Sequence, residues 1–278
     1  MGLLSRLSTH VGSGRTTRGY YSSMNRALFR LNEEYTMLHY PYFESEGDSF
    51  LEAQTNLTDY CISQLPSFKG KALLEIGCGN GVQAMHIQEK YSPGHFQAID
   101  LNEENIDIAR TEARKRGIHG IAFHVDDAHL LSTVEDNSMD LVISIESAFH
   151  YTDKTSFLQQ IHRVLKPGGT FLIADILTRK TGTSRITQRW KKKMSFHHWP
   201  LETYQDELGN ARLHGVTVTD ITPRVIRGFR LYKNWLKDLK SREFLDDLLM
   251  KLYYTIHARL NVHLLKTSRQ YCVFVGNK

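Results

Sequence analysis

Across residues 71–176, short apolar runs alternate with amphipathic segments, and this alternation constrains the fold more than any other feature of the chain. A run of strand length followed by a segment of helical period, repeated, is the pattern of β–α units, because parallel strands need a crossover each time. The spacing predicts strands at 72–76, 96–100, 121–125, 141–145 and 170–175. Helices are predicted at 82–91, 103–116 and 155–165, the last stopped by Pro167-Gly168-Gly169. Before this core, residues 24–65 read as mostly helical, ending at Pro66 and a turn at Gly70, with aromatic clusters at Tyr20-Tyr21 and Tyr40-Pro41-Tyr42-Phe43. After it, residues 178–200 form a basic and aromatic insertion without clear period, holding Arg185, Arg189, Lys191, Lys192 and Lys193, then Phe196-His197-His198-Trp199-Pro200. Two further strands, 216–222 and 271–275, bracket two helices whose apolar positions include Phe229, Tyr232, Trp235, Leu248, Leu252 and Ile256. The expected organisation is an N-terminal arm with cap helices over 1–69 and one domain over 70–278, with cap insertions near 178–200 and 224–266.

Composition narrows the class. With 278 residues, 41% hydrophobic and 23% charged, the chain is long enough to bury a core and is neither collagen-like nor disordered. Cys61, Cys78 and Cys272 are odd in number and far apart, which argues against a disulfide framework and for a reducing compartment. No run approaches the length of a membrane span. Charge is polarised: residues 1–180 hold 17 Lys/Arg against 22 Asp/Glu, residues 181–278 hold 18 against 8. Such asymmetry points to an anionic ligand, a membrane surface or a nucleic acid. Nucleic acid is the minority reading, since no recognition helix or RNA-binding module accompanies the charge. Residues 1–32 carry Arg6, Arg15, Arg18, Arg26 and Arg30 with no acid, which reads equally as a mitochondrial transit peptide or as a basic arm lying on a membrane or over a site. The expected location is therefore cytoplasmic, peripheral at a membrane, or mitochondrial in the transit-peptide case.

The sharpest local motif is Leu73-Leu74-Glu75-Ile76-Gly77-Cys78-Gly79-Asn80-Gly81, a strand running into glycines and then a helix. Glycines there permit positive φ and close approach of backbone amides to a ligand. A dinucleotide fingerprint would need a third glycine where Val82 stands, and a phosphate loop would need Gly-Lys-Ser/Thr, which is absent. Glu75 at the strand end repels phosphate and attracts a cationic ligand. Asp100 closes the second strand, placed to accept hydrogen bonds from ribose hydroxyls. Asp126 and Asp127 follow the third, where an acid can accept from an exocyclic adenine amine.

These residues resemble the class I S-adenosylmethionine-dependent methyltransferases. The match runs through Glu75-x-Gly77-x-Gly79-x-Gly81, Asp100, Asp126-Asp127-Ala128, Asp140-Leu141-Val142 and Leu165-Lys166-Pro167-Gly168-Gly169, in family order, over about residues 70–176. The resemblance implies a Rossmann-like, seven-stranded, mostly parallel sheet with helices on both faces and a helical cap. It implies S-adenosylmethionine as methyl donor, the glycine turn against its methionine part, Asp100 on the ribose, Asp127 on the adenine and Leu101 flanking the ring. More loosely, the chain looks like the phthiotriolone and fatty-acid O-methyltransferases, with a basic aromatic arm and a C-terminal Gln270-Tyr271-Cys272-Val273-Phe274 strand.

Methylation of a hydroxyl requires removal of a proton. His150, in the Glu146-Ser147-Ala148-Phe149-His150-Tyr151 segment after the fourth strand, is the first candidate base, because an imidazole titrates near neutral pH. The lipid-type members tend to carry their His one position earlier, where this chain has Phe149. Asp175 ends the fifth strand and is expected to orient the imidazole or bind the acceptor. Tyr20, Tyr21, Tyr40 and Trp199 are candidates for the acceptor pocket, Glu146 for loop support and Cys78 for packing. His197-His198 lacks a third ligand at metal spacing, so no metal is expected. The expected activity is methyl transfer to a small hydrophobic or lipid-like acceptor at a hydroxyl. The rivals are an amine or carbon acceptor, and a non-catalytic donor-binding protein.

Overall fold

A computed structural model describes residues 34–179, 196–238 and 244–278, with residues 19, 21, 22, 25, 26 and 29 of the arm, side chains at 232–251, 253 and 254 excepted. Tyr20, the arginines of residues 1–18 and the basic run 185–193 lie outside the described residues. In chain order the elements are α1 (Phe50–Ile62), β1 (Ala72–Ile76), α2 (Val82–Tyr91), β2 (His95–Asp100), α3 (Glu103–Arg116), β3 (Ile121–Val125) and β4 (Met139–Ile145). A 3₁₀ turn, Ala148–His150, precedes α4 (Lys154–Val164) and β5 (Leu165–Thr178), and α5 (Leu201–Asn210), β6 (His214–Asp220), α6 (Thr222–Asp238), α7 (Phe244–Thr267) and β7 (Arg269–Asn277) follow among the described residues.

The seven strands form one sheet in the order β3-β2-β1-β4-β5-β7-β6. β1 to β5 are parallel, while β7 runs antiparallel to both β5 and β6. Alternation along the strands feeds two cores. Leu73 and Leu141 face α1, α2 and α3 through Leu57, Met85 and Ala109, whereas Leu74 and Val142 face α4 and α5 through Phe157, Ile161 and Tyr204. Strand order reverses at β1, whose neighbours are β2 and β4, so a crevice opens at the carboxyl ends of β1 and β4.

The helix ends follow local chemistry. Asn102 caps α3 by accepting from the Glu104 amide, and Gly117 closes it in the left-handed conformation. Ser49 and Glu52 form a reciprocal capping box on α1. The helical reading of residues 24–65 holds only in part. Described arm residues and α1 are helical, but residues 34–49 are irregular. Pro41 disfavours helix at and before its position. The segment is instead tied to its surroundings, Met37 O accepting from Gln54 Nε2 and the Tyr42 amide donating to Ala53 O. β5 also begins earlier than expected, at Leu165 rather than Thr170, through a register shift opposite Met139 and Leu141. Among the described residues no helix is long and apolar enough to cross a membrane. Leu252, Ile256 and Leu260 are exposed along one face of α7.

Candidate active site

The glycine turn is held in shape by its own neighbours. The Gly77 and Cys78 amides both donate to Ile99 O at 2.8 and 2.9 Å, and the Gly79 amide donates to Asp100 Oδ2 at 3.0 Å. β1 and β2 thus fix the loop jointly. Gly77 has φ +79°, and a Cβ there would collide with Ser147 Cβ and lie only 2.6 Å from its Oγ, so only glycine lets the β1 loop touch the β4 loop. Ser147 Oγ in turn donates to Ile76 O at 3.1 Å and accepts from the Tyr151 hydroxyl at 3.0 Å. Gly77→Ala is expected to push these loops apart and weaken donor binding about tenfold or more, the order of magnitude for strain of about 1–3 kcal/mol, measurable by calorimetry. Gly81 serves packing, since a Cβ there would sit 2.5 Å from Ala109 Cβ and separate α2 from α3.

A cavity of about 420 Å³ occupies the crevice, in the size range of small-ligand sites. Glu75, Gly77, Gly79, Asp100, Leu101, Asp126, Asp127, Ala128 and His150 all line it. Gly81 and Asp175 do not. Glu75 is 1% exposed; its Oε1 accepts from Gln83 Nε2 at 2.7 Å, while Oε2 is buried without a hydrogen-bond partner among the described residues. Burial pushes its carboxyl up to about 8, against the Gln83 hydrogen bond. An orphaned carboxylate oxygen facing a cavity fits a cationic ligand. Asp100 Oδ1 accepts from the Asn102 amide at 2.8 Å and from Asn105 Nδ2 at 3.2 Å, which aims the carboxylate along the cavity rim. Asp126 is occupied locally, accepting from Thr133 N and Oγ1, Ser132 Oγ and the Asp127 amide, so it shapes the β3 loop. Burial works to raise its carboxyl, but those bonds outweigh it and hold the group below the usual range. Asp127 Oδ1 meets His129 Nδ1 at 2.7 Å. Cys78 is buried, which raises its thiol far above the ordinary value and leaves it a packing residue.

On the β4-loop side of the cavity, His150 Nε2 lies 2.7 Å from the Tyr21 hydroxyl, with the rings edge to face at 5.3 Å. Tyr21 comes from the arm, whose described residues clasp the site. Asn25 donates to Asn105 Oδ1 at 2.8 Å and accepts from Asn80 at 2.9 Å, Asn102 donates to Ser22 Oγ at 3.3 Å, and Arg26 pairs with Glu104 at 3.1 Å. Asn25 is 1% exposed, so this clasp is a packed junction. Glu146 lines the same region with φ +50°, rare for a residue with a side chain, and its Oε1 accepts from the Tyr40 amide at 2.8 Å. Burial pushes its carboxyl up to about 8.

Asp175 departs from the expected role. It is fully buried, and its Oδ2 accepts from Lys154 Nζ at 2.7 Å on the opposite side of the sheet from the arm, among Trp199 and Tyr204. The pair anchors α4 to β5, and Asp175 does not reach His150. His198 donates from Nδ1 to Ile176 O at 2.6 Å and stacks on Phe149. Among the described residues no three His, Cys, Asp or Glu side chains converge as a metal site. Of the expected aromatics, Tyr21 lines the cavity, whereas Tyr40 packs on Phe229 and Trp199 on Tyr204. Sequence reading missed Met37, His39, Asn80, Gln83, Asn102 and Asn105 as lining residues. Asn80 inside the glycine turn and Asn102 at a helix cap were the only ones with a local signal.

A family model described as a methyltransferase domain matches residues 67–227, more than half of the chain. The chain belongs to this methyltransferase family. Its relatives include the fatty-acid O-methyltransferase of Mycolicibacterium smegmatis, 31% identical over 53% of this chain and 55% of that protein. The phthiotriol/phenolphthiotriol dimycocerosates methyltransferase of Mycobacterium tuberculosis is 30% identical over 63% of this chain and 65% of that protein. The match thus spans between about half and two thirds of these relatives' length. Among solved structures, phosphoethanolamine N-methyltransferase 2 of Haemonchus contortus, in complex with S-adenosyl-L-methionine, superposes with a TM-score of 0.79 at 17% identity, over 95% of this chain and 60% of that one. The Rossmann-like fold expected of a class I methyltransferase is therefore the fold observed, and the family resemblance read from the motifs is correct.

Proposed function

We propose that the protein transfers a methyl group from S-adenosylmethionine to a hydroxyl of a small, apolar or lipid-like acceptor, with His150 as general base. The observation that carries this reading is one cavity lined both by the buried carboxyl of Glu75 with Asp100 and by the Tyr21–His150 pair. Glu75, Asp100, Leu101, Asp127 and Ala128, with the backbone of the glycine turn packed against it, would hold the donor, which supplies an electrophilic methyl group. The chain's own task is alignment and proton removal. The acceptor oxygen would bond to the methyl carbon as the methyl–sulfur bond breaks and S-adenosylhomocysteine leaves, and the hydroxyl proton would pass to the imidazole, which Tyr21 holds in orientation. The O-methyltransferase among the relatives supports oxygen as the acceptor atom. The test is transfer of labelled methyl into a metabolite and lipid extract, with mass spectrometry of the product. A labelled methyl ether supports the reading; a product labelled only as an ester, or only on nitrogen or carbon, overturns it.

The buried carboxyl of Glu75 makes donor binding proton-linked. A cationic group beside Oε2 favours the carboxylate, so binding near pH 7 is expected to release about one proton. Calorimetry in buffers of different ionisation enthalpy measures this, and Glu75→Gln should abolish it. The same shift sets stability against pH. A carboxyl raised from 4.5 to about 8 on folding favours the folded state fully below 4.5 and loses that contribution as pH rises toward 8.

The expected membrane contact is assigned to the exposed face of α7, where Leu252, Ile256 and Leu260 run beside exposed Arg259, His263 and Lys266. The protein is expected to float with anionic vesicles, and Ile256→Glu should remove that flotation. Retention of flotation in the variant would sink the assignment.

A further inference from the structure

We propose that Arg269 is an anion subsite of the acceptor site, taking a carboxylate or phosphate carried on an apolar body; the proposal rests on the reading of the adjoining cavity as a methyl-transfer site. Arg269 opens β7 directly opposite Thr178, the last residue of β5, and therefore stands at the carboxyl edge of the sheet. Residues two apart on a strand share a face, which puts Arg269 on the side of Tyr271 and Val273, toward Tyr40 and α7. It is 7% exposed. Its guanidinium lies 5.6 Å from the Phe196 ring centroid, and it is within hydrogen-bonding reach of Tyr40.

Among the described residues no carboxylate lies within ion-pair distance of this guanidinium, although Arg26, Arg110, Arg163 and Arg179 each have one. The sequence joining Arg179 to Phe196 holds six Lys/Arg and no acid, so it brings none. Among the described residues the neighbouring titratable groups are Tyr40 and His257, and His257 is driven to about 4 by burial and by Arg269 itself, so it is neutral. A buried cation with no anion among the described residues around it is unfavourable for the fold, and its planar fork matches an oxyanion.

The subsite adjoins the reacting end of the cavity. Phe196 neighbours both, its ring 5.4 Å from that of His150 and 5.6 Å from the guanidinium carbon. The His150 ring and the guanidinium are therefore at most about 11 Å apart. An acceptor spanning them carries its anion within that distance of the imidazole that takes its proton, on an apolar body that passes Phe196. A compact acid with a nearby hydroxyl fits; a long neutral alcohol does not use the subsite.

The test compares decyl phosphate, decanoate and decanol on protein saturated with S-adenosylhomocysteine, below their aggregation limits, by calorimetry. At least one anion is expected to bind about tenfold more tightly than decanol, and the two anionic arms tell phosphate from carboxylate. Arg269→Met should bring the anions level with the alcohol while keeping the affinity for S-adenosylhomocysteine and the melting temperature. Arg269→Lys, which keeps the charge but loses the fork, should retain part of the preference and provides the comparison if the Met variant does not fold. Equal binding, no binding of either anion, or an anion preference that survives both substitutions overturns the proposal. Loss of S-adenosylhomocysteine binding by the unaltered protein would instead defeat the methyltransferase reading, which keeps the two failures distinct.

Discussion

Replacing Asp175 with Ala lowers folding stability by about 3–5 kcal/mol and leaves donor affinity unchanged, because it strips the counter-ion from a buried lysine. Lys154 and Asp175 are 1% and 0% exposed, their charges 2.7 Å apart, so neither group has water to fall back on. Burial lowers the Lys154 pKa, and Asp175 works against that shift by favouring the ammonium. The lysine also lies 5.1 Å from the Tyr204 ring centroid and 5.7 Å from that of Trp199, contacts that stabilise a cation but do not neutralise it. Urea denaturation of Asp175→Ala measures the loss. The double replacement Lys154→Met with Asp175→Leu should recover most of it, since an apolar pair of similar volume needs no compensation. A variant that keeps its stability but loses turnover a hundredfold would restore Asp175 to the reaction and contradict the structural role.

His150→Ala is expected to reduce turnover by about 10²–10⁴, the range for removing a positioned general base, with donor affinity changed less than about threefold. The imidazole is on the β4 loop, while the carboxylates proposed to face the donor are on β1 and β2, so the two losses are expected to separate. Tyr21→Phe should give a smaller fall, about tenfold, because the base remains and only its orientation is loosened. Single-turnover kinetics with the acceptor identified by the labelled-extract experiment would measure both. Turnover unaffected by His150→Ala would exclude the imidazole as base and leave an acceptor that needs none.

How far these residues could be read in advance depended on how local their causes are. The bounds of β1, α2, α3 and β3 agree with their sequence expectations, because caps and glycines near the ends decide them: Asn102 and Gly117 for α3, Gly81 for the start of α2. The acids at strand ends were legible for the same reason, since parallel strands deliver their last residues to one edge. Tertiary partners were not. Tyr21 reaches His150 across 129 positions, and Tyr40 reaches Glu146 across 106. No periodicity encodes either. Asp175 shows how residue type can mislead: a strand-end acid reads as a site residue until Lys154, 21 positions away and buried, is found to claim it. β5 outran its expected start because Leu165 pairs with Met139 of β4 and Lys278 exchanges backbone hydrogen bonds with Gly168 and Gly169, which holds the Pro167-Gly168-Gly169 turn within the strand.

Every role assigned to the cavity depends on a cationic methyl donor seated across β1 and β2, between Glu75 and Asp100. Calorimetric titration of the purified protein with S-adenosylmethionine and S-adenosylhomocysteine probes that seat without reference to any acceptor. One saturable site is expected for each, weakened about tenfold or more by Asp100→Ala while the fold is retained. A folded protein that binds neither, or binds both equally well after Asp100→Ala and Glu75→Gln, would show that the donor does not sit there.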